Sequence, residues 1–290
     1  MGVEYEGIGE EDREFLGGKM LATYLDMPGF YEVCPFERSW QYWSMNPRRF
    51  GALVAIDGKG RFVLHTQLPR GQEATLDYAR QSVELTTGRS FDYRIIDIAE
   101  WNAGFMLVAG RFGSDRLFLA GDAAHLFTPT SGLGYNTSVD DASNLGWKLA
   151  AVCGGWGGAE LLASYSTERR PIAQRNTRFA RQIAEYFRSI SVPKALEETT
   201  PAGERARAEF GKWLDEVGER EFDTPGIHFG VFYDQSSIIV PEPGPPPPDD
   251  PHWYEPHARP GARAPHWWLK DGQALQDKFG TDFTLIRLAG

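Results

Sequence analysis

The sequence predicts a mixed fold, α+β or α/β, in which an antiparallel sheet precedes long helices. Residues 1–70 alternate apolar and polar positions, and an Asp57-Gly58 turn separates GALVAI from RFVLHTQL, as is typical of a β-hairpin. From about Gly134 to Cys153, and again from about Gly158 to Ile190, apolar residues recur every three or four positions. These two stretches predict a helix, a glycine turn at GGWGG and a second, longer helix.

Further elements follow from the same patterns. Residues 72–86 have helical spacing, residues 91–101 alternate like a strand, and the apolar run at 116–120 predicts another strand. Pro171 lies inside the second long helix, where the missing backbone N–H predicts a break or kink near Arg170.

The carboxy-terminal part predicts a stiff connector and the opening of another domain. PEPGPPPPDDP at 241–251 favours polyproline II, and a spacer is a more common use of such a stretch than an SH3-type ligand. Beyond it we expect a short helix around Leu275 and a strand from Phe283 to Leu288.

Composition excludes several function classes. A formal net charge of −10 argues against a nucleic-acid partner, and no apolar run is long enough to span a membrane. The acidic amino terminus is unlike a signal peptide, so we expect an intracellular, cytoplasmic protein. Cys34 and Cys153 lack metal-ligand spacing and are expected to be buried thiols.

A basic cluster falls on the second long helix. Its interpretation as a solvated face is favoured over phosphate binding. Its members are Arg169, Arg170, Arg175, Arg178 and Arg181.

The segment with the most chemical content begins at Gly121-Asp122-Ala123-Ala124-His125. An ionised Asp122 just past a strand suits hydrogen bonding to the hydroxyls of a ribose or ribityl chain, because a carboxylate only accepts. Downstream, Ser131-Gly132-Leu133-Gly134 permits close backbone approach at the start of a helix, whose free N–H groups favour an anionic or electron-rich cofactor. Alone, these residues favour an ordinary turn and helix start over a cofactor site.

A hydrolase triad is the other chemistry that this segment suggests. It would join Ser131 or Ser138 to His125 and to Asp140 or Asp141. We do not favour it, because G-x-S-x-G is absent and closeness in sequence says little about triad geometry.

Taken together, RLFLAGDAAHLFTPTSGLGYNTSVDDASNLGWKLA at 116–150 resembles the second flavin-binding motif of the FAD-dependent aromatic-ring hydroxylases, the class A monooxygenases that include phenol hydroxylases and aromatic polyketide oxygenases. The residues on matching positions are Gly121, Asp122, Ala123, Ala124, His125, Pro129, Gly132, Gly134, Asn136, Asp141, Asn144, Leu145, Trp147 and Lys148.

The resemblance implies a set of FAD contacts. Asp122 would bind the ribityl chain, Pro129 would lie near the reactive edge of the isoalloxazine, and the helix start would contact its pyrimidine side. Ser131 stands where a glycine is common in the family. The predicted cofactor-binding residues are Gly121, Asp122, Ala123, Pro129, Gly132, Leu133, Gly134, Tyr135 and Asn136.

The family transfers an oxygen atom from O2 to an aromatic ring with NAD(P)H as reductant, so the resemblance implies FAD, NAD(P)H and a small phenolic or polyketide-like substrate. The cofactor carries the oxygen chemistry, and no protein nucleophile or metal is required. A homodimer stays open, as does oxidation or halogenation by the same fold. Substrate-facing candidates are Trp40, Tyr42, Trp43, His65 and Gln67, although any one aromatic on a strand more often fills the core behind the sheet.

The family's G-x-G-x-x-G strand-turn-helix and its later D-G motif have no counterpart here, since GIGEED at 7–12 lacks both a preceding strand and a third glycine. We therefore expect a chain incomplete at both ends, with the amino-terminal βαβ unit absent and weak or no retention of FAD. The alternative is an inactive remnant that acts as a binding or assembly module.

The expected units are a substrate-binding sheet at 1–110, the second part of the FAD-binding domain at 111–190, a helical completion at 191–240, a linker at 241–260 and the start of a thioredoxin-like domain at 261–290.

Overall fold

The computed structural model describes residues 2–9, 19–89, 91–103 and 105–287. Part of the GIGEED segment and the end of the strand predicted up to Leu288 therefore lie outside the described residues. None of the described helices is both long and apolar enough to cross a membrane.

The described strands form two antiparallel sheets, one of five strands in the order β3-β4-β5-β2-β6 and one of three in the order β1-β7-β8. The strands are β1 Tyr5–Ile8, β2 Lys19–Asp26, β3 Gln41–Met45, β4 Phe50–Ala55, β5 Arg61–Leu68, β6 Arg94–Asn102, β7 Met106–Ala109 and β8 His125–Leu126.

The predicted hairpin is confirmed, because β4 and β5 pair antiparallel around the Asp57-Gly58 turn. Asp57 Oδ1 accepts the amides of Lys59, Gly60 and Arg61, and Gly58 has a φ of +65°. These three N–H bonds lower the pKa of Asp57 to about 2.

The six described α-helices are α1 Phe30–Val33, α2 Leu76–Thr87, α3 Leu133–Cys153, α4 Ala159–Arg188, α5 Pro201–Phe222 and α6 Pro225–Phe229. The helices predicted at 72–86, at about 134–153 and at about 158–190 are confirmed as α2, α3 and α4. The break predicted near Arg170 is wrong, since α4 continues as one helix of 30 residues through Pro171. Pro171 is exposed, and buried residues on both sides of it hold the helix in place.

The five-stranded sheet has two different faces. On one face, Leu25, Phe62 and Leu64 pack with Val83 of α2 in a closed core. The other face carries the alternate residues of the same strands and faces the α4–α5 side of the molecule, as the cavity described below shows. The alternation that predicted the strands thus assigns their residues to a core face and a cavity face.

The apolar run at 116–120 is not a strand. Phe118 forms only an isolated bridge to Gly113, and Leu119 N–H donates to Phe112 O, so the run folds back on the preceding residues in a tight turn. Residues 283–287 likewise form no strand, whereas the helix predicted around Leu275 is confirmed as a 3-10 helix at Leu275–Lys278. Cys34 is half-buried and Cys153 is exposed, contrary to the expectation of two buried thiols.

The sheets also bear on the expected units. The five-stranded sheet runs from Lys19 to Asn102, whereas β1 and β7, inside the predicted 1–110 unit, belong to the sheet that includes β8. The unit boundaries stay a prediction.

The proline-rich segment has no helix or strand at 241–251, as predicted, but it is held in place. Arg259 donates to the carbonyls of Glu242, Gly244 and Pro245, and Gly226 N–H donates to Pro251 O.

Candidate active site

The turn at Gly121–Ala123 is a single 3-10 turn that begins with glycine in a left-handed conformation, φ +59°. The Gly121 amide donates to Asp141 Oδ2 at 3.2 Å, and a Cβ added at Gly121 would lie 3.2 Å from Ser138 Oγ. A larger residue is therefore disfavoured here by both backbone strain and space. Asp122 is exposed, and its carboxylate makes no hydrogen bond or ion pair with any residue that the structure describes.

Behind this turn lies a buried charged pair that joins α3 to α4. Asp141 accepts from Arg169 Nε at 2.8 Å and lies 2.7 Å from His125 Nε2, and all three side chains are almost fully buried. Burial raises the pKa of Asp141, but the hydrogen bonds and charges of His125 and Arg169 outweigh it, so the net pKa is lowered.

The His125–Asp141 contact does not complete a hydrolase triad. Ser138 donates to Gly134 O, and neither ring nitrogen of His125 has a serine partner in the described part of the chain. The pair anchors the turn that carries Asp122, which is a structural role for two residues of the flavin motif.

A second buried ion pair involves the later residues of the motif. Lys148 Nζ donates to Glu168 Oε2 at 2.6 Å, Asn144 donates to the same oxygen at 2.7 Å, and Ser236 donates to Glu168 Oε1 at 2.6 Å. Burial lowers the pKa of Lys148, and Glu168 offsets part of that shift. Asn144 and Lys148 thus fix the packing of α3 on α4.

The interpretation of the arginine cluster as a solvated face is wrong for two of its members. Arg169 is 1% exposed, and Arg175 donates to the carbonyls of Gly226 and Ile227 in α6. Arg170 pairs with Glu6. Helical charges that look solvated in the sequence are buried here because α4 has neighbours on both sides.

The loop that leads into α3 is held from two helices. Thr130 Oγ1 donates to Ala180 O of α4 at 2.5 Å, and the Ser131 amide donates to Glu221 Oε1 of α5 at 2.8 Å. Ser131 has a φ of +62° and Gly132 a φ of +61°. The chain therefore turns through two consecutive left-handed residues before the helix begins.

The start of α3 is free to bind a ligand. Gly132 is the N-cap residue and has no side chain to accept from the first amides of this 21-residue helix. These amides lie at the positive end of the helix dipole. Tyr135 and Asn136 are exposed, and Asn136 Nδ2 donates back to Gly132 O at 2.8 Å. An unpaired Asp122, a glycine turn and uncapped helix amides fit the ribityl and ring portion of a flavin.

A cavity of about 940 Å³ lies between this loop and the cavity face of the five-stranded sheet. Pro129 and Thr130 line it from the loop, Phe187 and Arg188 from the end of α4, and Glu221 from α5. The sheet residues that line it are Met20, Ala22, Tyr24, Gln41, Trp43, Met45, Phe50, Ala52, Val54, His65, Gln67, Ala99 and Trp101. Its size and its mainly apolar wall are those of a site for an aromatic ligand.

Three of the predicted substrate-facing residues, Trp43, His65 and Gln67, line this cavity together with Pro129. Trp40 and Tyr42 do not. Tyr42 belongs to the opposite face of β3, where its ring packs on Phe30 and its hydroxyl donates to Glu37 O. Trp40 precedes the strand and is 69% exposed. A period of two places alternate residues on opposite faces, so Trp43 and Tyr42 cannot share one.

Sequence reasoning missed Trp101, Phe187 and Glu221. Trp101 continues the alternation of β6 and makes a T-shaped contact of 5.6 Å with His65, so pairing of the predicted strands could have found it. Phe187 and Glu221 come from helices whose approach to the cavity no local pattern encodes.

Burial dominates the electrostatics of the cavity. It lowers the pKa of His65, which favours the neutral ring at neutral pH. It raises the pKa of Glu221, an effect that the Ser131 N–H bond offsets in part. Glu221 Oε2, His65 Nδ1 and Trp101 Nε1 are buried and have no hydrogen-bond partner among the described residues.

The chain is similar to known flavin-dependent enzymes. It is 33% identical over 247 residues to an FAD-dependent monooxygenase of Penicillium oxalicum, covering 81% of this chain and 47% of that protein. It is 36% identical over 233 residues to a phenol 2-monooxygenase of Pseudomonas, covering 72% of this chain and 38% of that protein. The chain thus spans about half the length, or less, of these relatives.

Solved structures agree with these relatives. A structure of RebC soaked with chromopyrrolic acid, with bound 7-carboxy-K252c, superposes with a TM-score of 0.82 at 33% identity, covering 96% of this chain and 51% of that one. Residues 10–180, more than half of the chain, match the FAD binding domain family. The chain therefore belongs to the FAD-binding domain family, and its relatives are FAD-dependent monooxygenases.

Proposed function

We propose that this chain supplies the substrate sheet and the second flavin motif of an FAD-dependent monooxygenase that hydroxylates a small phenolic or polyketide-like aromatic with NAD(P)H and O2. The observation that carries the proposal is the cavity of about 940 Å³, in which Pro129 and Thr130 of the flavin-motif loop face Trp43 and His65 of the sheet. A cytoplasmic location and a homodimer remain predictions.

The residues have separable roles in this proposal. Asp122 accepts hydrogen bonds from the ribityl hydroxyls, and the amides at the start of α3 favour electron density on the pyrimidine side of the ring. The bound FAD supplies oxygen activation at the expense of NAD(P)H. Trp43 and its apolar neighbours hold a flat substrate, exclude water and leave a neutral His65 to hydrogen-bond with it.

A second candidate is a binding or assembly module without turnover of its own. The observation that favours it is the absence of G-x-G-x-x-G from the sequence, so that the chain by itself offers one half of the expected cofactor contacts.

Titration of the purified chain with FAD, followed by visible absorption and flavin fluorescence, separates the two. We expect weak binding with oxidised-flavin bands. Asp122→Ala should weaken it about tenfold, and the matched variant Asp115→Ala, an exposed aspartate outside the motif, should leave it within about twofold. No flavin retained even at high FAD favours the binding module, and equal binding by both variants contradicts the role of Asp122.

A further inference from the structure

Ser131 holds an unusual backbone conformation. Among the described residues it is the only one other than glycine with a positive φ, +62°. A left-handed conformation is strained for an L-residue, because Cβ then lies too close to a backbone carbonyl oxygen. Its hydroxyl has no hydrogen-bond partner in the described structure, so the side chain does not stabilise this conformation.

The stabilising contact comes from a distant helix. Glu221, 90 residues further along the chain and 5% exposed, accepts the Ser131 amide through Oε1 at 2.8 Å. No ion pair joins Glu221 to another described residue. Among the described residues, the Ser131 amide is therefore the hydrogen-bond partner of its carboxyl group. A hydrogen bond from a backbone N–H to a buried carboxyl group is among the stronger hydrogen bonds of proteins.

The position of this contact links it to the cavity. Glu221 lines the cavity together with Pro129 and Thr130, and the helix that begins at Leu133 follows directly. A change in the Ser131 backbone would therefore move both Pro129 and the first amides of α3 relative to the cavity.

We propose that Glu221 is a positioning residue for the flavin ring: its carboxyl oxygen holds the Ser131 amide, and the pair keeps residues 129–136 in the form that presents Pro129 and the start of α3 to the ring. The consequence for flavin rests on the proposed function, whereas the Glu221–Ser131 coupling does not. Glycine at 131 removes the strain and with it the need for Glu221.

Hydrogen–deuterium exchange of peptides that cover 129–136 tests the coupling without any cofactor. Glu221→Ala should speed their exchange about tenfold, and Glu221→Gln, which keeps an acceptor oxygen, should stay within about threefold of the parent. Glu216→Gln, an exposed residue of the same helix, is the matched control and should change nothing. In a Ser131→Gly background, Glu221→Ala should have a clearly smaller effect.

Unchanged exchange in Glu221→Ala overturns the proposal, and so does a Glu221→Gln variant that behaves like alanine or an undiminished effect with glycine at 131. If circular dichroism shows that Glu221→Ala is unfolded, Glu221→Leu takes its place, because it fills the space without an acceptor.

The link to flavin is tested by FAD titration of the same variants. We expect affinity to fall about tenfold in Glu221→Ala and to stay within about threefold in Glu221→Gln. Faster exchange with unchanged FAD affinity overturns the positioning role. No binding by the parent chain favours the binding module over the proposed function instead, and the exchange result still decides the coupling.

Discussion

The α3–α4 interface and the cavity both bury polar groups, but they do so in opposite ways. At the interface, Asp141 faces Arg169 and Lys148 faces Glu168, each at hydrogen-bonding distance. At the cavity, Glu221 is buried and His65 is half-buried; neither has an ion pair among the described residues, and each has a buried atom without a partner.

The difference separates groups that hold helices together from groups that line the cavity. Paired buried charges fix the position of two helices, because an uncompensated charge is too costly to leave in the interior. Unpartnered polar atoms occur in both regions, since His125 Nδ1 and Asn144 Oδ1 of the interface also lack a partner among the described residues. At the cavity, Glu221 Oε2, His65 Nδ1 and Trp101 Nε1 belong to residues of the wall, where a bound ligand can contribute the missing contacts. The motif residues Asp141 and Lys148 thus hold the scaffold, whereas Glu221 and His65, which lie outside the motif, line the cavity.

Removing one charge from the α3–α4 interface should destabilise the protein more than any other change considered for these two regions. Arg169→Leu leaves Asp141 buried beside His125 without its arginine, and it also removes the 3.0 Å bond to Tyr233 Oη. We expect the free energy of unfolding to fall by about 3–5 kcal/mol in urea denaturation at neutral pH.

Arg178→Leu is the control, because Arg178 is exposed on the same helix and should shift stability by no more than about 0.5 kcal/mol. A loss at Arg169 as small as the loss at Arg178 would show that the interface charges do not hold the scaffold.

Alanine at two glycines, one just before α3 and one inside it, should change stability by less and with opposite signs. Gly132→Ala forces alanine into a φ of +61° although open space surrounds its Cβ position, so we expect a loss of about 1–2 kcal/mol from backbone strain alone. Gly146→Ala lies inside α3, also with open space, and should stabilise by about 0.5–1 kcal/mol. Thermal unfolding of both variants gives the two signs, and the same sign for both would refute the strain argument.

Much of the fold follows from local patterns in the sequence. Periodicity gave the positions of α2, α3 and α4, and the Asp57-Gly58 pair gave the hairpin, because these elements bury one face along a regular repeat. The 116–120 run misled the prediction, since four apolar residues without a partner strand can equally fold back on the preceding turn.

For the candidate site, the sequence predicted the residues of the loop better than the residues that line the cavity. The residues from Gly121 to Asn136 are contiguous, so a sequence motif carries them, and Trp43, His65 and Gln67 follow from strand alternation. Tyr42 was assigned to the same face as Trp43 although successive strand residues lie on opposite faces, and it packs in the core instead. Glu221 could not be found, because its role depends on how the end of α5 meets a loop 90 residues away.

The most direct test of the central claim, that the cavity beside Pro129 is a site for an aromatic ligand, is isothermal titration of the chain with 2-naphthol. Ala52 lines the cavity, so Ala52→Trp should fill it. Ile56, 55% exposed at the hairpin turn, provides the control variant Ile56→Trp. We predict measurable binding by the parent chain, a loss of at least about tenfold in Ala52→Trp and a change within about twofold in Ile56→Trp. No binding by the parent, or equal binding by a folded Ala52→Trp variant, would contradict the account.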